Sequence, residues 1–167
     1  MQVSQLQVSH DSVQDRLLLR IGTQANEEIR VFLTRRFVRE LWAPLTAMLT
    51  GHLGANRPLP AAPEEASASA SFDEPFRDNN PTFPLGSTPL LVGEAALDPA
   101  GEGQCRLILR EIRERAVTLN LNAELAQVLC SMLRAATAHA NWNLDLDYIP
   151  VESPVSAAPV AGKALLH

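Results

Sequence analysis

Aromatic residues make up only 5% of this 167-residue chain, and of its fourteen Lys and Arg residues Lys163 is the single lysine. Alanine accounts for much of the 46% hydrophobic fraction, so the core has to come from a modest set of Leu, Ile, Val, Phe and Trp. Cysteine is confined to Cys105 and Cys130, 25 positions apart. That excludes a disulfide framework and a CxxC pair, and a reduced, cytoplasmic setting is the expectation. No apolar run nears the ~18 residues of a membrane span. Met1 to His10 carry neither a basic start nor an apolar stretch, so neither membrane insertion nor a cleaved signal is expected. The length suits one ordinary domain and excludes a TIM barrel of ~250 residues.

Signs of chemistry are equally sparse. Gly86, Gly93, Gly101 and Gly103 do not open a helix and make no phosphate loop. His10, His52, His139 and His167 are scattered, and Asp145 with Asp147 offers only two carboxylates, too few for a metal cage. Cys130 lies beside the buried helical stripe, and His139, nine positions on, lies ~13 Å away at ~1.5 Å per residue, beyond reach of a base–nucleophile pair. The reading is therefore a non-enzymatic protein with no catalytic residue, metal or cofactor.

What the chain does contain is an internal resemblance. Arg16-Leu17-Leu18-Leu19-Arg20 and Arg106-Leu107-Ile108-Leu109-Arg110 are nearly one pentapeptide, 90 positions apart. Each is followed by a polar turn, by an alternating run (Ile29 to Leu33, Val117 to Leu121), by an N-cap residue (Thr34, Asn122) and by a helical stripe. Phe37, Leu41, Leu45 and Met48 fall on Leu125, Leu129, Leu133 and Ala136 at an offset of 88, which makes the second turn two residues shorter. A further extended segment precedes each pentapeptide, Val3 to Ser9 and Pro89 to Leu97. Pro44 should kink the first helix near Glu40, and Gly51 or Gly54 should end it.

The expected fold is α+β: two degenerate strand-strand-strand-helix repeats forming one antiparallel sheet, with two helices on one face and a pseudo-twofold between the halves. Repeat 1 covers residues 1–55 and repeat 2 residues 86–149 of a single domain. A Pro/Ala/Ser-rich acidic linker, 56–85, joins them, and 150–167 is a flexible tail. Asn143 to Tyr148 alternates and would add an edge strand. In the latter half of the linker, Phe72, Phe76, Phe83 and Leu85 are side chains that can dock on the domain.

Charge is distributed unevenly. Residues 58–103 carry −7 and 143–167 carry −2, while 1–57 and 104–142 carry +2 each, so the global acidity belongs mainly to the linker and tail. The segments 1–57 and 104–142 are mildly basic. Arg35 and Arg36 open a helix, where positive charge is unfavourable, and Glu27 or Glu28 in the preceding turn would offset them.

Period-two geometry sends Arg16, Leu18, Arg20, Arg30, Phe32, Arg106, Ile108 and Arg110 to the face opposite the helices. An arginine and apolar surface of that kind suits a protein partner or a second copy of the chain, and secondly a single-stranded nucleic acid. In layout alone, duplicated strand-and-helix units with an open sheet resemble PUR-type and Whirly-type binders, which implies the nucleic-acid alternative. The acidic total and the single aromatic on that face, Phe32, favour a protein partner or homo-oligomer.

Overall fold

Leu17, Leu19 and Ile21 alternate with Arg16, Leu18 and Arg20, and this period of two becomes a strand with three fully buried side chains. The computed structural model, which describes residues 1–54, 76–112, 115–144 and 146, contains six such strands. They are β1 (Val3–Asp11), β2 (Arg16–Thr23), β3 (Glu28–Leu33), β4 (Leu90–Pro99), β5 (Gln104–Glu111) and β6 (Ala116–Asn122). Helix α1 (Arg35–Met48) follows β3, and helix α2 (Ala123–His139) follows β6. The Thr34 side chain accepts from the Phe37 backbone N–H at 3.2 Å, and Asn122 Oδ1 accepts from that of Leu125 at 2.8 Å. Both are N-caps in the expected places.

Helix α1 runs on through Pro44 and continues as a π-helical turn, Leu49–Leu53, capped at Gly54. Pro44 and Glu40 both lie on the exposed side, so the donor that proline removes is lost where water can replace it. Arg36 Nε donates to Glu40 Oε1 at 2.9 Å, one turn along the same helix. Neither Glu27 nor Glu28 fills the role expected of it beside Arg35 and Arg36.

The strands lie in sequence order, β1-β2-β3-β4-β5-β6, all antiparallel except for β3 and β4, which pair in parallel through Val31↔Leu90 and Phe32↔Leu91. The sheet is thus mixed rather than antiparallel. Its physical cause is the long return through α1 and residues 76–89, which brings the chain back to the end of the sheet where β3 began. A twofold axis normal to the sheet would make the central strands antiparallel. They are parallel, so the expected pseudo-twofold does not describe this arrangement, and both halves run in the same direction.

Register corrects the relation between the pentapeptides. In the first half Leu17 pairs with Leu33 and Leu19 with Val31; in the second, Cys105 pairs with Leu121 and Leu107 with Leu119. These pairs differ by a uniform 88. The turns match too: the Thr23 N–H donates to the Glu27 carbonyl at 3.0 Å, and the Glu111 N–H to that of Arg115 at 2.8 Å. The second turn is therefore not shorter. The two pentapeptides are displaced by two residues, a slip that keeps each side chain on the same face and so hides in a hydropathy pattern.

One apolar core lies between the helices and the inward sheet face, and it includes Leu19, Leu45, Leu107 and Leu133, each at most 1% exposed. Helix α1 packs on β4 and its π-helical turn on β5, while α2 touches both edge strands, β1 and β6. Each helix end is tied to the hairpin of the other half. His52 Nε2 lies 2.9 Å from the carbonyls of Gly101 and Gln104. Trp142 Nε1 donates to Asp15 Oδ1 at 2.7 Å, with His10 Nε2 2.9 Å from the same oxygen. Those contacts, Trp142 first, hold the Asp15 carboxyl below its ordinary range.

Asn143, Leu144 and Leu146 are not in a strand, and Leu146 is buried in the core instead. The edge strand expected there is absent among the described residues, since Leu146 turns inward instead of continuing the alternation; Asp145, Asp147 and Tyr148 fall outside them. The early linker, with Phe72, and the tail 150–167 also lie outside the described residues.

Candidate binding face of the sheet

The eight candidate residues all occur on three of the four inner strands, β2, β3 and β5, and none is fully buried. They fall into two groups with different neighbours. Arg20 and Arg30 stand directly opposite each other in the β2–β3 register, a like-charge pair that is unfavourable by itself. Glu28 resolves it. Its side chain is 1% exposed, its Oε1 accepts from Arg20 Nε at 2.8 Å and from Arg30 Nε at 2.7 Å, and its Oε2 accepts from Arg20 Nη2 at 3.3 Å. Burial pushes the Glu28 carboxyl upward, but the hydrogen bonds from Arg20 and Arg30 outweigh it and leave the group below its ordinary range. Arg20 is held in turn by Asp78 and by Gln7 Oε1 at 3.3 Å, and Glu28 is the largest cause of its raised pKa.

Residues 76–85 lie across this cluster as a strap. The Phe76 ring covers the Arg20 guanidinium at 4.1 Å and the Phe83 ring covers that of Arg30 at 4.9 Å. The strap is pinned to the strand by the Glu28 N–H, which donates to the Thr82 carbonyl at 2.8 Å, and by the Arg77 N–H, which donates to Gln5 Oε1 at 3.0 Å. Gly22 makes room for it, because a Cβ there would lie 3.3 Å from the Phe76 ring and 3.2 Å from Gln5 Cβ. Beyond the strap, Arg16 stacks on Phe32 at 5.7 Å beside Leu18, which pairs with Phe32 in register.

The second half presents a different face. Arg106, Ile108 and Arg110 on β5 stand opposite Asp98, Ala96 and Glu94 on β4, and opposite Asn120, Thr118 and Ala116 on β6. Arg106, Arg110, Glu94 and Asp98 are exposed, and Ile108 and Ala96 are partly so. No ion pair joins these four charged side chains to any described residue. At the loop edge, Arg115 grips Glu111 at 2.7 Å and donates to the carbonyls of Leu85 and Thr88 at 3.1 and 2.9 Å, where the strap turns into β4.

No family model, curated protein or solved structure matches this chain. The chemistry must be read from the face itself. Cys105 and Cys130 are buried thiols, pushed by burial to about 11 and about 12 respectively, so both stay protonated at neutral pH and act as small core residues. Among the described residues no three His, Cys, Asp or Glu side chains gather as a metal site, and no helix is long and apolar enough to cross a membrane.

Sequence reasoning placed the eight side chains on the outer face but missed Glu28, Gly22, Asp78 and the pairing of Phe76 and Phe83 with particular arginines. The signal for Glu28 was its position at the start of β3, two residues before Arg30 and therefore on the same face. At the end of the polar run Gly22 to Glu28, however, it has the pattern of a turn residue.

Proposed function

We propose that this chain is a non-enzymatic binding protein, a tandem duplication of one strand-strand-strand-helix unit, that associates with itself through the outer face of its second half. The observation that carries this reading is the contrast between two faces built on one register. The first is occupied by the chain's own strap, whereas Arg106, Ile108 and Arg110 in the second face solvent beside an unpaired acidic row. Partly exposed apolar side chains set among charges of both signs suit a weak protein interface.

Extended single-stranded nucleic acid is a poorer fit. Its stacking platforms would have to be Phe32, Phe76 and Phe83, and each is already against an arginine of this chain. Sedimentation of the full chain across micromolar to near-millimolar concentration tests the reading. A concentration-dependent rise in mass, lost on Ile108→Asp, is expected. A monomer throughout overturns it, and salt-sensitive retention on single-stranded RNA or DNA would put the alternative in its place.

A further inference from the structure

The exposed residues of β4 and β5 form a small grid. Along β4 the outward order is Glu94, Ala96, Asp98; along β5, in register, it is Arg110, Ile108, Arg106. One strand therefore carries an acidic row and its neighbour a basic row, each with an apolar residue at its centre. Unpaired opposite charges in adjacent rows are self-complementary under one kind of symmetry only. A twofold axis lying between the two faces and parallel to the strands sets β4 of one copy over β5 of the other. It brings Glu94 over Arg110, Asp98 over Arg106 and Ala96 over Ile108, twice in each dimer. An axis running across the strands lays each row over its own kind and brings like charges together.

Resting on the proposed self-association, we propose that the partner on this face is a second copy of the chain, docked face to face about a twofold axis parallel to the strands, the acidic row of each copy on the basic row of the other. Three strands at ~4.8 Å spacing and about eight residues at ~3.3 Å give a projected patch of roughly 380 Å². Stable dimers commonly bury ~800 Å² per partner, so this one is weak, with an affinity in the micromolar range or above. The charges select the partner and its orientation more than they supply affinity.

Charge exchange tests the arrangement in the full-length protein by sedimentation velocity, with near-ultraviolet circular dichroism to show that each variant is folded. Arg106→Glu with Arg110→Glu is expected to weaken the dimer by about tenfold or more, as is Glu94→Arg with Asp98→Arg. The four substitutions together exchange the rows and keep the net charge, and this variant is expected to dimerise like the wild type. If the quadruple variant stays monomeric while wild type dimerises, the row-on-row pairing is wrong. If no reversal moves the equilibrium, the copies meet elsewhere, for instance along the uncharged edge of β6, and self-association survives without this geometry. A wild-type chain that is monomeric at every concentration removes both.

Discussion

The two halves of the sheet share a register and differ in nearly every outward residue. Shifted by 88 positions, Gly22, Arg20, Glu28 and Arg30 become Arg110, Ile108, Ala116 and Thr118. Each change removes one element of the strap's seat: the gap for Phe76, the guanidinium beneath it, the buried carboxylate and the guanidinium under Phe83. Inward, the same shift turns Leu19, Val31, Leu41 and Leu45 into Leu107, Leu119, Leu129 and Leu133, all buried. Packing thus holds the inner face to one pattern, while the outer face is free to become a closed ionic cluster in one half and an open grid in the other.

Removing Glu28 is the most severe way to break the contrast. Glu28→Gln leaves Arg20 and Arg30 opposed with their buried anion gone, and a loss of about 3 kcal/mol is expected in urea unfolding. Acid should do the same more gradually. The Glu28 carboxyl sits below its ordinary range when folded, so its contribution is fully present above the unfolded value of 4.5 and is lost as pH falls through that value towards the folded one. The wild-type stability curve should steepen below about pH 5, and that part of the slope should be missing in Glu28→Gln.

Core truncation should show a likeness between the halves that the outer face lacks. Leu45→Ala and Leu133→Ala, at equivalent buried sites, are each expected to cost ~2–4 kcal/mol, and a much smaller loss at one would break the equivalence of the halves. Gly22→Arg imports the residue of the second half into the first. It should displace Phe76 at a cost of ~1–2 kcal/mol and speed amide exchange in residues 76–85 while β5 and β6 are unaffected. The two helix caps sharpen the comparison at a finer scale, with Thr34→Ala and Asn122→Ala each expected to cost about 1 kcal/mol. Smallest in stability is Ile108→Asp, within ~0.5 kcal/mol because the site is partly exposed, yet it is expected to abolish association.

Much of the fold was legible in the sequence because its signals are local. Alternation at Leu17, Leu19 and Ile21 marks a strand, the stripe Phe37, Leu41, Leu45 marks a helix, and Thr34 and Asn122 announce their helices by side-chain chemistry. The same reasoning placed Arg16, Arg20, Arg106 and Arg110 on the outward face. The two-residue slip between the pentapeptides leaves no mark in the pattern, because period-two alternation is blind to even shifts. The expected edge strand at Asn143 to Tyr148 failed for a related reason: alternation shows that one side can be buried, not that a strand edge is there to receive it, and Leu146 is buried without one.

The six strands, the two helices and the side of each that faces the core follow from backbone geometry and side-chain pattern within a few residues. That β3 and β4 run parallel, that Glu28 sits between Arg20 and Arg30, and that Phe76, Asp78 and Phe83 return some fifty residues later to cover them is settled in three dimensions alone. Those contacts are set by how the chain crosses from one half to the other, and a long crossover leaves no local mark of its destination. The outward arginines look alike in the sequence. Their neighbours in space make two of them part of a closed structural cluster and leave two open to solvent.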